Sequence, residues 1–378
     1  KETYIKDLEN LPETVKVLGI NDYQFLDGYK KVLEYKNSGR LKNIDLFLPI
    51  LEFRIKKFGG HKEFKRINLH IIFSNELTVE IIQDQFLNTL TAEYNLSPEI
   101  QTDDLIRWSG AITRSSLEDL GRKIKATVPE DKIINFGSDL EEGFNNLNID
   151  DTIIIEKLKK SSYFEGKFLI AIGKTEWDAF NWNDNSIAEK KHVINSAHFV
   201  FTASETPASF YNAKQKLIEQ KVNNLLLDCS DSHYNSWSIN KDRLGNCFTW
   251  IKADRTFEGL RQIIKEKDRV FVGDIPPHLE RVQQNPTKYI SNLDFNKVTG
   301  VTNSEIWFED LSVPLNSSLV AIIGNKGQGK SAIADTIGLV GNSKSYLDFS
   351  FITKDKLKRK RPINLAEIFE ATVTWESG

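Results

Sequence analysis

A glycine-rich segment of this chain carries the residues best suited to phosphate chemistry. Residues 319–331 read LVAIIGNKGQGKS, in which Gly324, Gly329, Lys330 and Ser331 satisfy the P-loop pattern GxxxxGK[ST]. Glycines allow a sharp turn and bring backbone N–H groups close to phosphate oxygens. The motif therefore predicts nucleotide binding, and a chance glycine-rich turn is the weaker explanation.

Each part of this segment has a predicted role. The apolar run 320–323 predicts a strand buried on both faces, and the pattern after it predicts a helix whose positive end points at the phosphates. Lys330, a candidate catalytic residue, is expected to reach the β- and γ-phosphates, and Ser331 to ligate Mg²⁺. The candidate nucleotide-binding residues are Gly324, Asn325, Lys326, Gly327, Gln328, Gly329, Lys330, Ser331 and Ala332.

A second set of polar residues lies at or near predicted strands in the first two thirds of the chain. In α/β folds, sites are built at the carboxyl ends of strands. Three carboxylates and two histidines suit Mn²⁺, Fe²⁺ or Zn²⁺ better than Ca²⁺, and such a metal cluster would activate water and bind a phosphate ester. The candidate metal ligands are Asp22, Glu52, His70, Asp231 and His233, of which Asp231 and His233 are also candidate catalytic residues.

Each of these five residues also has a purely structural explanation. His70 lies between apolar neighbours, where a histidine is more often a hydrogen-bonded core residue than a ligand. Asp22 and Asp231 are of a type that caps turns. Only the complete set favours the metal interpretation, so both interpretations stay open at this point.

The elements that must position these residues follow from the apolar patterning. Strand and helix patterns alternate, which predicts a parallel sheet or barrel covered by helices. A length of 378 residues predicts about two domains, and 40% hydrophobic with 27% charged residues is typical of a globular chain. The net charge of −3 provides no overall attraction to nucleic acid or membranes. A nucleic-acid site must therefore be a local patch.

Cysteine usage and hydropathy indicate where the protein works. Cys229 and Cys247 are the only cysteines and form no CxxC pair, which favours the reducing cytoplasm over a disulfide framework. There is no apolar run of membrane-spanning length and no signal peptide, so we expect no membrane partner. The sequence contains no methionine, which leads us to expect that it is an incomplete record of the protein.

Four short motifs resemble those of the PHP superfamily (polymerase and histidinol phosphatase). They are GINDY (19–23), LPILEFR (48–54), INLHIIF (67–73) and CSDSH (229–233). The resemblance implies a distorted α/β barrel with a multinuclear metal site that cleaves phosphoesters. Asp231 and His233 match the closing Asp-x-His pair, and Asp22, Glu52 and His70 match earlier ligands. The opening His-x-His is absent, and Tyr23 stands where a histidine of the family belongs.

The last part of the chain resembles an ATPase head of the ABC or SMC type. KYISNLDF (288–295) is similar to its first strand, and GNKGQGKSA to its GxNGxGKS loop, with Lys326 at the usual asparagine. We therefore expect an α/β chain with a PHP-like distorted (β/α) barrel at 1–275, a linker at 276–287, and the N-terminal part of a P-loop head at 288–378. This arrangement resembles bacterial PHP–ATPase fusion proteins of DNA repair or phage defence.

The resemblance implies ATP, Mg²⁺ and nucleic acid as ligands. It also implies a homodimer through the ATPase heads and a partner protein from the same operon. After Ser331 there is no strand ending in Asp-Glu and no LSGGQ-like signature. Two hypotheses remain. One is an ATP-gated phosphoesterase or nuclease; the other is a degenerate barrel that binds nucleic acid or a partner, with ATP turnover as the only chemistry.

Two further groups of residues are of types that can contact nucleic acid. The basic cluster after the P-loop helix is more typical of a solvated loop than of a phosphate-binding surface. The tryptophans of the first part are expected to pack in the core or against helices rather than to stack on bases. The cluster comprises Lys354, Lys356, Lys358, Arg359, Lys360 and Arg361, and the tryptophans are Trp108, Trp177, Trp182, Trp237 and Trp250.

Overall fold

Six strands form one mixed sheet in the first part of the chain. The computed structural model describes residues 2–59, 65–94, 112–173, 187–300, 310–358 and 365–378. The strands, in their order across the sheet, are β1 (Val17–Tyr23), β2 (Leu46–Gly59), β3 (Lys65–Phe73), β4 (Phe168–Gly173), β5 (Phe199–Thr202) and β6 (Leu226–Asp228). The sheet is curled into a half barrel, so the α/β class is confirmed at this coarser level.

The expectation of a wholly parallel sheet is wrong at β3. This strand runs antiparallel to both β2 and β4, whereas β1–β2, β4–β5 and β5–β6 are parallel pairs. Only residues 60–64 separate β2 from β3. Parallel neighbours need a crossover of about a dozen residues or more, so a connection this short allows only an antiparallel pair.

Helices follow most of these strands. They are α1 (Glu2–Glu9), α2 (Asp27–Asn37), α3 (Val79–Gln85), α4 (Arg114–Ala126), α5 (Asp139–Asn146), α6 (Asp151–Lys160), α7 (Ile187–Ser196), α8 (Pro207–Glu219) and α9 (Phe257–Lys265). Thr78 caps α3 by accepting a hydrogen bond from the Ile81 amide. The capping box of α4 is formed by Thr113 and Ser116.

Buried side chains line both faces of the sheet. Along β2, Leu51 and Phe53 belong to the largest apolar cluster, while Leu46 and Leu48 belong to a separate cluster. Successive residues of a strand point to opposite faces, so Glu52 lies on the same face as Leu48. A carboxylate is therefore placed at the end of an apolar row, where it is almost wholly buried.

Two short strands lie outside the main sheet. β7 (Thr249–Ile251) and β8 (Val270–Val272) pair with each other as an antiparallel ribbon. Asp228, at the end of β6, accepts a hydrogen bond from the Phe248 amide at 2.9 Å and so ties this ribbon to the main sheet. The strand Thr249–Ile251 therefore does not join the main sheet.

The chain divides into two compact units, Lys1–Asp274 and Ile275–Gly378. The second unit contains α10 (Pro277–Gln284), β9 (Ile290–Lys297), β10 (Leu311–Pro314), α11 (Lys330–Val340) and β11 (Phe369–Trp375). Its strands form an antiparallel sheet in the order β10-β9-β11. The interval assigned above to a linker, residues 276–287, contains α10.

Candidate functional site

The P-loop segment forms an exposed loop that leads into α11. Gly327 and Gly329 have φ values of 87° and 83°, in the left-handed region that favours glycine. Gly329 is the N-cap of α11, and Lys330 is its first residue. The helix therefore starts at the expected position and directs its free N–H groups and the positive end of its dipole towards the loop.

The side chain of Lys330 folds back onto this loop. Its Nζ donates hydrogen bonds to the carbonyl oxygens of Gly324, at 2.8 Å, and Asn325, at 2.7 Å. The Asn325 amide in turn donates to Gln328 Oε1 at 2.9 Å. Ser331 is exposed, and Ala332 is buried under the first turn of the helix. A phosphate that binds here would replace the carbonyl groups as the partners of Lys330.

The prediction of a buried strand at residues 320–323, before the loop, is wrong. Residues 319–323 form no strand, and the side chains of Leu319 and Ile323 are 91% and 89% exposed. The three described strands of this unit pair only with one another, in the order β10-β9-β11. An apolar run becomes a buried strand only where a neighbouring strand supplies its hydrogen bonds, and periodicity alone does not reveal that neighbour.

Glu52 and His70 face each other across β2 and β3. They are a register pair, and Glu52 Oε2 lies 4.0 Å from His70 Nδ1. Asn21 Nδ2 donates to the same carboxylate oxygen at 2.7 Å, and a guanidinium nitrogen of Arg54 lies 3.6 Å from Oε1. The carboxylate of Glu52 is thus buried but surrounded by donors and positive charge.

The surroundings of His70 favour its neutral form. Burial lowers the pKa of His70, and the nearby charges of Glu52 and Asp231 oppose this shift. Its ring centroid is 5.5 Å from that of Phe201 on β5. A neutral imidazole keeps one nitrogen lone pair free to bind a proton or a metal ion.

Asp22 has a structural role in the fold. It lies within β1, rather than after a strand end, and its Oδ2 accepts hydrogen bonds from the amides of Gly28, at 3.0 Å, and Tyr29, at 3.1 Å. Asp22 therefore caps the N-terminus of α2. Burial raises the pKa of Asp22 to about 6, although these two amide bonds act in the opposite direction.

Asp231 and His233 lie in the loop that follows β6. Asp231 has a φ of 45°, a left-handed conformation that aspartate tolerates better than most residues. His233 is largely exposed, and its Nδ1 lies 2.9 Å from the backbone oxygen of Asp231 and 3.4 Å from Asp242 Oδ2. The loop places Asp231 close enough to influence the charge of His70, while His233 contacts its own loop.

The predicted metal ligands are therefore only partly brought together. Two ligands that each lie about 2.0–2.2 Å from one tetrahedral Zn²⁺ are about 3.3–3.6 Å apart, whereas Glu52 Oε2 and His70 Nδ1 are 4.0 Å apart, so this pair would have to move closer together to share a metal ion. The oxygen of Asp22 that faces α2 is engaged by the helix amides. Within the described ranges, no three His, Cys, Asp or Glu side chains are grouped so that they could hold a metal ion.

Asn21 and Arg54 belong to this site, although their sequence context did not single them out. Arg54 pairs with Glu52, its NH1 group donates to Asn68 Oδ1, and its guanidinium lies over the ring of Phe144. Its Nε is buried and has no hydrogen-bond partner in the described structure. The signal was alternation: Glu52 and Arg54 are two residues apart and so share one face of β2.

The expectation that the tryptophans pack in the core is wrong for Trp237. Its side chain is 63% exposed, in the loop after β6 that also carries Asp231 and His233. Trp250 is partly buried, and its Nε1 donates to the Gly273 carbonyl at 2.9 Å. Trp108, Trp177 and Trp182 lie outside the described residues, as do Arg359, Lys360 and Arg361 of the basic cluster. Lys354, Lys356 and Lys358 are exposed.

Comparison with known proteins identifies no relative: no protein-family model, curated protein or solved structure matches the chain. The candidate sites therefore stand on their sequence motifs and geometry. None of the described helices combines the length and the apolar composition that crossing a lipid bilayer requires.

Proposed function

We propose that this chain binds ATP and Mg²⁺ at residues 324–332 and hydrolyses the nucleotide. The observation that carries the proposal is the position of Lys330. Its ammonium group is held by the loop carbonyls of Gly324 and Asn325, at the N-terminus of α11. Positive charge, free amides and a helix dipole converge there, which is the combination that binds the phosphates of a nucleotide.

Different groups of this loop would contact different parts of the bound MgATP. The glycine-rich backbone and the first amides of α11 would donate to the phosphates, Lys330 would neutralise their charge, and the exposed hydroxyl of Ser331 would ligate Mg²⁺. Hydrolysis also needs a group that orients water. The resemblance to ABC-type heads implies that a second head completes the site, and hence a homodimer.

Binding of a fluorescent ATP analogue in the presence of Mg²⁺ tests this proposal. Lys330→Ala should abolish binding, because the phosphates lose their principal cation. Lys344→Ala, at an exposed lysine beyond α11, is the matched control and should bind as the wild type does. Wild-type affinity in the Lys330→Ala protein would overturn the assignment of the P-loop.

A second candidate function for the first unit is metal-dependent cleavage of phosphoesters in nucleic acid. The buried pair of Glu52 and His70, with Arg54 beside it, favours this candidate. Glu52 and His70 would hold a divalent ion such as Mn²⁺, Zn²⁺ or Fe²⁺, which when bound activates water for attack on phosphorus. Asn21 would orient Glu52, and the guanidinium of Arg54, which lies beside Glu52, would bind a phosphate oxygen.

The two units together would form an ATP-controlled enzyme that acts on nucleic acid, as expected for DNA repair or phage defence in the cytoplasm. The competing hypothesis keeps the ATPase but makes the first unit a scaffold for nucleic acid or for a partner protein from the same operon. Neither hypothesis needs a membrane. They differ in one measurable property, the cleavage of phosphodiesters by the first unit.

Hydrolysis of bis(p-nitrophenyl) phosphate with added Mn²⁺ separates these hypotheses. Glu52→Gln and Asp231→Asn should abolish hydrolysis, because each removes a carboxylate charge at or near His70. Glu165→Gln, at an exposed glutamate, is the control and should leave the rate unchanged. Unchanged hydrolysis in Asp231→Asn would reject this site, and an inactive wild-type protein would favour the scaffold.

A further inference from the structure

An open pocket of about 500 Å³ is lined mainly by the loop after β6. Its wall includes Tyr4 of α1 and, from the loop after β6, His233, Tyr234, Asn235 and Trp237. Pockets that bind organic ligands usually measure about 300–1,000 Å³, so this volume suits a group the size of a nucleoside. His233, a predicted catalytic residue, is therefore also part of a second feature that the P-loop and the metal ligands do not explain.

Large exposed side chains, two of them aromatic, contribute to the wall of this pocket. Trp237 is 63% exposed and Tyr234 is 49% exposed, and the neighbouring Ile239 is 98% exposed. Large apolar side chains that cluster at a surface mark a binding site more often than isolated ones do. The hydroxyl of Ser238 and the amide of Asn235 add hydrogen-bonding groups to the same wall.

The loop that carries these rings is held in place by a buried carboxylate. Asp7 of α1 is 1% exposed, and its Oδ2 accepts a hydrogen bond from the Ser236 amide at 2.8 Å. Its Oδ1 accepts from the Ser236 hydroxyl. Ser236 stands directly before Trp237, so a fixed backbone presents the indole ring. A rigid aromatic surface binds a flat ligand at a lower cost in conformational entropy than a mobile one.

A second set of hydrogen bonds closes the loop on itself. The amides of His233 and Tyr234 both donate to the Asp242 carbonyl, at 2.9 and 3.1 Å, and the Leu244 amide donates to the Tyr234 carbonyl at 2.9 Å. This pairing brings Lys241 and Arg243 into the segment opposite His233 and Tyr234. The loop thus carries two cations and also two carboxylates, Asp231 and Asp242, so its charges balance, and the aromatic rings are the feature that it shares with sites for single-stranded nucleic acid.

We infer that this pocket binds an unpaired base of single-stranded nucleic acid, which stacks on Trp237 while its phosphate lies at His233. Flat faces, hydrogen-bonding groups and the candidate catalytic residue His233 in the pocket wall all suit a nucleotide, and stacking on an aromatic ring tolerates any base. The inference rests on the proposed phosphoesterase for the position of the phosphate alone. It extends that proposal by naming the substrate class as single-stranded, because bases in a duplex are not free to stack.

Binding of a labelled short oligothymidylate to the full chain, measured in EDTA so that no cleavage occurs, tests the inference. Loss of one stacked base costs about 1–3 kcal/mol, so Trp237→Ala should weaken binding about 5- to 150-fold. Trp237→Phe keeps a ring and should lose much less. Tyr163→Ala removes a similarly exposed aromatic residue outside the pocket lining and should bind as the wild type does.

An oligonucleotide with abasic sites separates stacking from other contacts. It should bind the wild type as weakly as oligothymidylate binds Trp237→Ala, and Trp237→Ala should not weaken its binding further, because the two changes remove the same contact. Equal affinity of wild type and Trp237→Ala for oligothymidylate would overturn the inference. The inference would also be overturned if Trp237→Ala weakened binding of the abasic strand as much as binding of the intact strand.

Bis(p-nitrophenyl) phosphate, a phosphodiester without a base, distinguishes failure of this inference from failure of the proposed phosphoesterase. If Trp237→Ala hydrolyses bis(p-nitrophenyl) phosphate at the wild-type rate but binds oligothymidylate weakly, both proposals are supported. If the wild type hydrolyses no diester but binds oligothymidylate through Trp237, the base site stands and the phosphoesterase fails. If hydrolysis is present and Trp237→Ala binds oligothymidylate normally, the enzyme stands and the base site fails.

Discussion

The charged residues of both candidate sites are already paired within the protein. Lys330 donates to two carbonyl groups of its own loop, and Arg54 lies against the carboxylate of Glu52. A phosphate that enters either site must replace these partners. The free energy of phosphate binding is therefore the difference between two hydrogen-bonded states of the cation. The advantage is that neither cation is left buried and unpaired before a ligand binds.

His198 provides a prediction about acid stability at the level of one residue. Its Nδ1 accepts a hydrogen bond from the Ile170 amide at 2.9 Å, and burial lowers the pKa of His198 below its usual value of 6.5. A pKa that is lower in the folded state means that stability is present above the unfolded pKa and is lost as the pH falls through the folded pKa. Protonation of Nδ1 would also remove the acceptor for Ile170.

We therefore expect the free energy of unfolding to fall as the pH drops below about 6.5, and to fall less steeply in His198→Gln. Urea denaturation at pH 7.5, 6.5 and 5.5 measures this difference. His192→Gln, at an exposed histidine, serves as the control and should follow the wild type. Equal pH dependence in wild type and His198→Gln would contradict the expectation.

At the scale of elements, the β1–α2 connection shows that a candidate ligand is a helix cap. Leu26 occupies the N-cap position of α2 and makes no side-chain cap bond. Asp22 supplies the missing acceptor from the preceding strand, through the amides of Gly28 and Tyr29. A carboxylate near the positive end of a helix is also favoured electrostatically.

Asp22→Ala should lower the free energy of unfolding by about 0.5–2 kcal/mol, because two amides of α2 lose their acceptor. Asp27→Ala is the matched control, because Asp27 is an aspartate at the start of the same helix whose side chain is exposed. Its removal should change stability by no more than about 0.5 kcal/mol. Chemical denaturation of the two variants at pH 7 compares them, and a larger loss in Asp27→Ala would show that the assigned cap is wrong.

For the whole molecule, the division into two compact units predicts separable stability. The units Lys1–Asp274 and Ile275–Gly378 each have their own sheet and their own buried residues. Calorimetry should therefore show two unfolding transitions. A ligand at 100 times its dissociation constant stabilises the state that binds it by about 2.7 kcal/mol, so MgATP should raise one transition only. In Lys330→Ala, MgATP should change the temperature of neither transition. If MgATP raised both transitions of the wild type equally, the two units would not unfold separately.

The sequence predicted most individual elements because their causes are local. Apolar runs set the strands of the first unit, and Thr78, Gly329 and Lys330 mark helix starts at the positions where the structure has them. Predictions that depended on a neighbour were less successful. The direction of β3, the separation of the β7–β8 ribbon and the absence of a strand at residues 319–323 all depend on which segments pair.

The sequence by itself determined the glycine turn and the start of α11 within residues 324–332, because both are local consequences of glycine and helix geometry. Only the tertiary structure decided the second site. It brought Glu52 against His70, added Asn21 and Arg54, and gave Asp22 to a helix cap. It also placed Trp237 at the surface beside His233. These relations depend on strand register and loop closure, which join residues far apart in the chain and leave no pattern at any one of them.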